Sequence, residues 1–267
     1  MTTLPTGTVT FLFTDIEGST PLWEHESDRM RLALERHHTI LRTAIEAHAG
    51  HVYKIIGDAF QAAFALPAKA VEAALAAQRE LTAEPWPTSA PIRVRMGVHT
   101  GQAQAEASDY ATTHTLNRVA RIMSVGYGGQ ILISVEAANL ARGYLPDGVT
   151  LRDMGEHRMK GITQLEHLYQ VVAPDLPADF PPLKTLDTHP NNLPVQITSF
   201  VGREKEINAV RRWLNEKRLV TLTGPGGTGK TRLSLQVATE ALSDFSDGAW
   251  LIELAPLADP AVRANQR

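Results

Sequence analysis

Asp15 closes the run Thr8, Val9, Thr10, Phe11, Leu12, Phe13, Thr14, and Ile16, Glu17, Gly18, Ser19 and Thr20 follow it before a helical pattern begins. A β-branched and aromatic run of this kind favours a buried strand. A carboxylate at its end, beside the unsatisfied amides of a helix start, suits a metal ion and a phosphate. The plainer reading is an Asp that punctuates a strand or caps a helix. Asp58 is a second carboxylate; with Gly57 it forms the tip of a hairpin between His51–Ile56 and Ala59–Phe64. Lys54 lies on the incoming strand, where a period of two groups it with Ile56 and sets Tyr53 and Ile55 on the other face. Asn117 and Arg121 stand one helical turn apart, so both can reach a single ligand. Gly224 to Thr231, GPGGTGKT, fits the phosphate-binding pattern G-x-x-x-x-G-K-[ST]. There the backbone of Gly224, Gly226, Gly227, Thr228 and Gly229 would wrap phosphates, Lys230 would contact the β- and γ-phosphates and Thr231 would meet Mg²⁺.

These groups need elements to hold them. Leu22 to Ala49 has a helical pattern with Leu34, Leu41 and Ile45 on one side, closed by Gly50. His37 and His38 on it have no ligand cluster beside them and read as structural. Pro67 opens a second helix with the stripe Val71, Ala74, Leu75, Gln78, Leu81. Ile92 to Thr100 alternates apolar residues with Arg93 and Arg95, a half-buried strand that Gly97 would loosen, with His99 packed. Leu116 to Val125 is a third helix; Ile131–Ser134, Val149–Asp153 and Leu168–Val172 are short strands, and Val135–Arg142 a short helix. Helices alternating with a mostly antiparallel sheet predict an α+β, ferredoxin-like sandwich with additions.

Residues 174–197 contain six prolines and no apolar periodicity, the composition of a linker. The expected organisation is therefore a domain over residues 1–173, a linker over 174–197 and an incomplete P-loop segment over 198–267. In that last segment Arg203–Leu214 reads as a helix, and Leu219–Thr223 and Ala249–Leu254 as strands. With 267 residues, 43% hydrophobic and 21% charged, the chain can bury a core. A net charge of −3 without a basic run gives no sign of nucleic-acid binding, and the absence of cysteine excludes disulfides and thiolate metal sites. No apolar stretch is long enough to span a membrane and no signal peptide is evident, so a cytoplasmic location is expected.

Taken together, FTDIEGST around Asp15, KIIGD from Lys54 to Asp58, RMGVHTG from Arg95 to Gly101, TLNRVARI from Thr115 to Ile122 and MKG at Met159 to Gly161 resemble the catalytic domain of class III adenylyl and guanylyl cyclases. The resemblance covers roughly Pro5 to Val172. It implies that Asp15 and Asp58, with the carbonyl of Ile16, hold two Mg²⁺ (or Mn²⁺) ions per active site. The amides from Ile16 to Thr20, including those of Glu17, Gly18, Ser19 and Thr20, would cradle phosphates. Asn117 would orient the ribose, Arg121 would stabilise the transition state and Lys160 would bind the terminal phosphates.

Lys54 matches the adenine-type position and favours ATP. Its usual partner would be Asp109, which stands eight residues before Asn117 where the family has seven, with Tyr110 at the matching count. Either the loop holds one extra residue and Asp109 still reaches adenine, which is the favoured reading, or base recognition is loosened. The resemblance further implies a head-to-tail homodimer with shared active sites. The P-loop, with TSFVGREKEI and WLIELAPLADP around it, resembles the start of a STAND-type ATPase. The leading expectation is an adenylate cyclase. The alternative is a catalytically weak nucleotide-binding module of a STAND-type regulator.

Overall fold

The computed structural model describes residues 4–111, 114–159, 162, 164–185, 191–194, 200, 202–245 and 247–253. The chain falls into two units, Met1–Met159 with Leu165–Lys184, and Lys160–Gln164 with Thr185–Arg267, and each is described by itself. Among the described residues no helix is long and apolar enough to cross a membrane.

The first unit is built on β1 (Gly7–Ile16), whose two faces are both covered, as its unbroken apolar run requires. β1 lies between β3 (Ala59–Phe64) and β4 (Val94–Ala103), antiparallel to both. β2 (His51–Ile56) pairs with β3 through the Gly57–Asp58 turn. β7 (Ile131–Ser134) runs parallel to β4, and β9 (Glu166–Val172) and β8 (Thr150–His157) complete the order β2-β3-β1-β4-β7-β9-β8. The helices α1 (Ser19–His25), α2 (Ser27–Ala47), α3 (Pro67–Ala83), α4 (His114–Ser124) and α5 (Val135–Ala141) connect these strands. The strand-helix-hairpin-helix-strand core with added strands is the α+β arrangement that the sequence predicts.

One face of the sheet packs Leu12, Phe60, Phe64 and Met96 against Met30, Leu41 and Ile45 of α2 and Val71, Ala74 and Leu75 of α3. The opposite face packs Val9, Phe11 and Phe13 against Leu116 and Val119 of α4. A small hairpin, β5 (Ala105–Glu106) and β6 (Asp109–Tyr110), precedes α4; the sequence reading gives no element there.

Four local expectations change. The single helix from Leu22 is two helices, broken at Glu26, whose backbone leaves helical geometry while its carboxylate accepts from the Ser89 amide at 3.0 Å and from the Ser89 hydroxyl. Tyr53 does not share a face with Ile55. A bulge between Val52 and Lys54 turns Tyr53 toward Phe11 and Tyr110, while Ile55 packs on the side covered by α2 and α3. Gly97 does not loosen β4. A Cβ there would stand 2.6 Å from the Met123 amide nitrogen, so its role is to let α4 lie directly on the strand. Residues 174–184 belong to the first unit rather than to a free linker, with Leu183 buried and Asp175 paired to Arg79 at 2.6 and 3.0 Å. Composition sees the prolines and misses single-residue anchors.

In the second unit α6 (Glu204–Glu216) and α7 (Lys230–Ala241) pack through Ile207, Val210, Leu233 and Val237. Leu219–Thr223 forms no strand, and Ala249 makes only an isolated bridge to Asn191; Leu254 lies outside the described residues. A strand needs neighbours to hydrogen-bond to, and Leu219–Thr223 has none among the described residues. Lys230 turns back onto its own loop, its Nζ donating to the carbonyls of Gly224 at 2.8 Å and Pro225 at 2.6 Å.

Candidate active site

The register of β1 against β3 pairs Thr14 with Phe60, so continuing it carries Asp15 and Ile16 toward Ala59 and Asp58. Asp15 near the end of β1 and Asp58 in the turn that leads into β3 therefore sit at the same end of the sheet. The hairpin tip that carries Asp58 is tied down by His38, whose ring lies 3.1 Å from the Gly57 carbonyl oxygen. Asp58 Oδ2 is buried and has no hydrogen-bond partner among the described residues. Such an orphaned acceptor is costly unless a cation or water satisfies it. Asp15 uses only Oδ2 in its ion pair, receiving Arg95 Nε at 3.0 Å and Nη2 at 2.5 Å. That arginine is the cross-strand partner of Asp15 in β4, and it also donates to the Ser124 carbonyl at 3.3 Å.

The oxygen set fits a hard divalent cation, with Asp15, Asp58 and the Ile16 carbonyl as donors. Among the described residues no group of three or more His, Asp or Glu side chains converges. Water and phosphate oxygens would have to complete the coordination, as is usual for Mg²⁺ at nucleotide sites.

Gly18, at φ +67, turns the chain from β1 into α1, which starts at Ser19 and Thr20. Glu17 departs from expectation: its amide donates to the Arg93 carbonyl at 2.9 Å and is not free for a phosphate. Its carboxylate accepts from the Gly128 amide at 2.9 Å and from Lys184 Nζ. Burial pushes Glu17 upward, but the hydrogen bonds from Lys184 and Gly128 outweigh it and hold the carboxyl below its ordinary range.

Lys54 Nζ donates to Asp109 Oδ2 at 2.6 Å. That hydrogen bond holds the Asp109 carboxyl below the usual carboxylate range. Asp109 opens β6 of the β5–β6 hairpin, whose turn includes Ala107 at φ +55. Tyr110, at the family's count, is buried against Phe11 and Tyr53 at 4.9 Å each and donates to the Pro5 carbonyl at 2.6 Å. Tyr110 is thus a core residue, and Asp109 is the one that faces Lys54.

On α4, Asn117 is exposed and Arg121 half-buried, and neither side chain has a hydrogen-bond partner among the described residues. Between them Arg118 reaches down to Glu136 at 3.2 Å and to buried Glu166 at 2.7 Å. His99 joins this cluster, 2.8 Å from Ser134 Oγ; burial lowers its pKa to about 4. The cluster anchors the helix that presents Asn117 and Arg121. Lys160 lies outside the described residues. Arg95 and Arg118 stand inside the stretches RMGVHTG and TLNRVARI, but neither their ion-pair partners nor the role of Lys184 has a sequence signal of its own.

The Adenylate and Guanylate cyclase catalytic domain model matches residues 1–173. The chain belongs to this cyclase family. An uncharacterised protein of Mycobacterium tuberculosis is 38% identical over 207 residues, 76% of this chain and 70% of that one. The adenylate cyclase of Lachancea kluyveri is 35% identical over 155 residues, 49% of this chain and 8% of that one. Among solved structures, an adenylate cyclase from Trypanosoma brucei in its monomeric state superposes with a TM-score of 0.59 at 27% identity, covering 68% of this chain and 95% of that one. The first unit is therefore a nucleotide cyclase domain.

Proposed function

We propose that the chain is an adenylate cyclase that converts ATP to 3′,5′-cyclic AMP and pyrophosphate. The reading is carried by Asp58 Oδ2, a buried carboxylate oxygen without a partner among the described residues, in the turn before β3 and beside the end of β1 that carries Asp15. Asp15, Asp58 and the Ile16 carbonyl would hold two Mg²⁺ or Mn²⁺ ions. Bound there, the ions would acidify the ribose 3′-hydroxyl and neutralise the triphosphate. In the reaction the 3′-hydroxyl releases its proton to solvent as its oxygen bonds to the α-phosphorus, and the bond from that phosphorus to the bridging oxygen breaks, releasing pyrophosphate.

The amides of Gly18, Ser19 and Thr20 would receive the β- and γ-phosphates. Arg121 would donate to the α-phosphoryl oxygens as charge grows on them, and Asn117 would fix the ribose. Lys160 would meet the terminal phosphates. The Lys54–Asp109 pair supports adenine over guanine: the ammonium donates to a ring nitrogen acceptor and the carboxylate accepts from the exocyclic amine. In a head-to-tail homodimer the carboxylates of one chain would face Lys54, Asn117 and Arg121 of the other. Residues 198–267 would be the start of a STAND-type ATPase that follows the cyclase domain.

Incubation of the purified chain with ATP or GTP and either metal, with cyclic nucleotide measured, tests the assignment. Cyclic AMP should form from ATP and be abolished in Asp15→Ala. Absence of product from ATP in the wild type would defeat the reading.

A further inference from the structure

Residues 174–184, which follow β9, have no part in the proposed reaction, yet they are fixed at one point after another along the first unit. Asp175 takes both bonds from Arg79, the Ala178 carbonyl accepts from Gln170 Nε2 at 2.7 Å and Arg152 Nη1 at 2.9 Å, and Leu183 is buried. The strap ends on four contacts made by Pro182 and Lys184. Tyr127 Oη donates to the Pro182 carbonyl at 2.8 Å, the Lys184 amide donates to the Val125 carbonyl at 2.9 Å, and Lys184 Nζ lies 4.1 Å from the centroid of the Tyr127 ring while pairing with Glu17. Glu17 is two residues beyond Asp15 and next to Gly18, the pivot into α1. Val125 and Tyr127 directly follow α4.

We propose that Lys184 is a positioning residue for the cyclase reaction, clamping the Asp15–Thr20 loop to the turn that follows α4. In the head-to-tail dimer that joint would tie together halves of the two symmetry-related sites, because the loop carries a metal carboxylate and the phosphate amides for one site and α4 carries Asn117 and Arg121 for the other. Lys184 serves by geometry and by charge. It keeps Glu17 in place against the Gly128 amide and offsets a carboxylate that would otherwise repel an incoming triphosphate. The Lys184 side chain is 38% exposed, so solvent screens the pair and the clamp is worth a modest factor rather than a decisive one. The kinetic importance of the joint rests on the cyclase reading; its structural part does not.

The test uses the full chain, with Lys184→Met, which keeps the stem and removes the charge, and Lys184→Arg, which restores it. Amide hydrogen exchange without nucleotide should run roughly three- to tenfold faster over residues 17–22 in Lys184→Met and return to within twofold of wild type in Lys184→Arg. Exchange over Ile131–Ser134 should not change. Titration with Mn²⁺ in the presence of 3′-deoxy-ATP should show weaker metal uptake by a similar factor in the Met variant alone. Unchanged exchange over 17–22, an equal rise over Ile131–Ser134, an unchanged metal midpoint or failure of Arg to restore would each overturn the proposal. A wild type that binds no Mn²⁺ with the nucleotide would sink the cyclase reading instead, and the exchange measurement would still decide whether Lys184 clamps the loop.

Discussion

Gly97→Ala is the substitution whose effect follows most directly from the packing. The new Cβ would lie 2.6 Å from the backbone nitrogen of Met123 and 2.9 Å from its Cα, about 0.8 Å short of the 3.4 Å at which ordinary contact begins. Backbone atoms in the last turns of a helix cannot rotate away as a side chain can, so α4 must lift or tilt from β4. Overpacking of this kind costs about 1–3 kcal/mol, which lowers the melting temperature by several degrees without preventing folding. The effect on chemistry should be larger. Arg121 lies two residues before Met123 and Asn117 six, so a displacement near 1 Å is passed to both, and misplacement on that scale costs on the order of 100-fold in turnover.

The assay is kcat for cyclic AMP formation, measured well below the unfolding transition. Two companions grade the effect. Gly101→Ala would meet only side-chain atoms that close, both branches of Thr115 at 2.8 Å, and should cost less than a clash with helix backbone; Gly143→Ala meets nothing within 4 Å and should be neutral. A folded Gly97→Ala chain that keeps kcat within twofold would refute the reasoning that α4 is positioned by this contact.

Two further outcomes are expected. His37 is fully buried, with neither ring nitrogen hydrogen-bonded among the described residues, and burial lowers its pKa from 6.5 to about 3. The unfolded chain therefore binds a proton that the folded chain refuses, and the stability this preserves above pH 6.5 is lost at about 1.4 kcal/mol per unit as pH falls toward 3. Urea midpoints at pH 7, 6 and 5 should show a shallower decline in His37→Leu than in wild type, and parallel slopes would count against it. Lys54→Glu places a second carboxylate against Asp109 and removes the donor proposed for adenine. The ratio of kcat/KM for ATP over GTP should drop by roughly tenfold or more, and an unchanged ratio would dissociate Lys54 from base choice.

Much of this was legible from residue order alone, for identifiable reasons. β1 announces itself because both of its faces are apolar, and the Gly57–Asp58 turn because two strand patterns flank it. The joint placement of Asp15 and Asp58 follows once β1 and β3 are neighbours. What escaped were pairings set by register or by single contacts. Arg95 is 80 residues from Asp15, and only the antiparallel alignment of β1 with β4 brings them together. The irregular count before Asn117 was visible, but its resolution required the β5–β6 hairpin, in which Tyr110 is drawn into the aromatic cluster and Asp109 is left facing Lys54. The prolines of residues 174–184 look like an unattached linker because anchoring through isolated residues has no period to detect. In the second unit Leu219–Thr223, expected as a strand, forms none, and Ala249 makes only an isolated bridge to Asn191, because an apolar pattern does not by itself supply a hydrogen-bonded neighbour.

The central claim is a nucleotide site whose acidic residues and whose α4 donors come from two copies of the chain. Mixing Asp58→Ala chains with Arg121→Ala chains tests it most directly, since the mixed dimer has one intact combination of Asp15, Asp58, Asn117 and Arg121. Each variant alone should be inactive, and an equimolar mixture should recover about a quarter of the wild-type rate if subunits pair at random and each intact site works independently. Folded, dimerising variants that stay inactive when mixed would contradict the account.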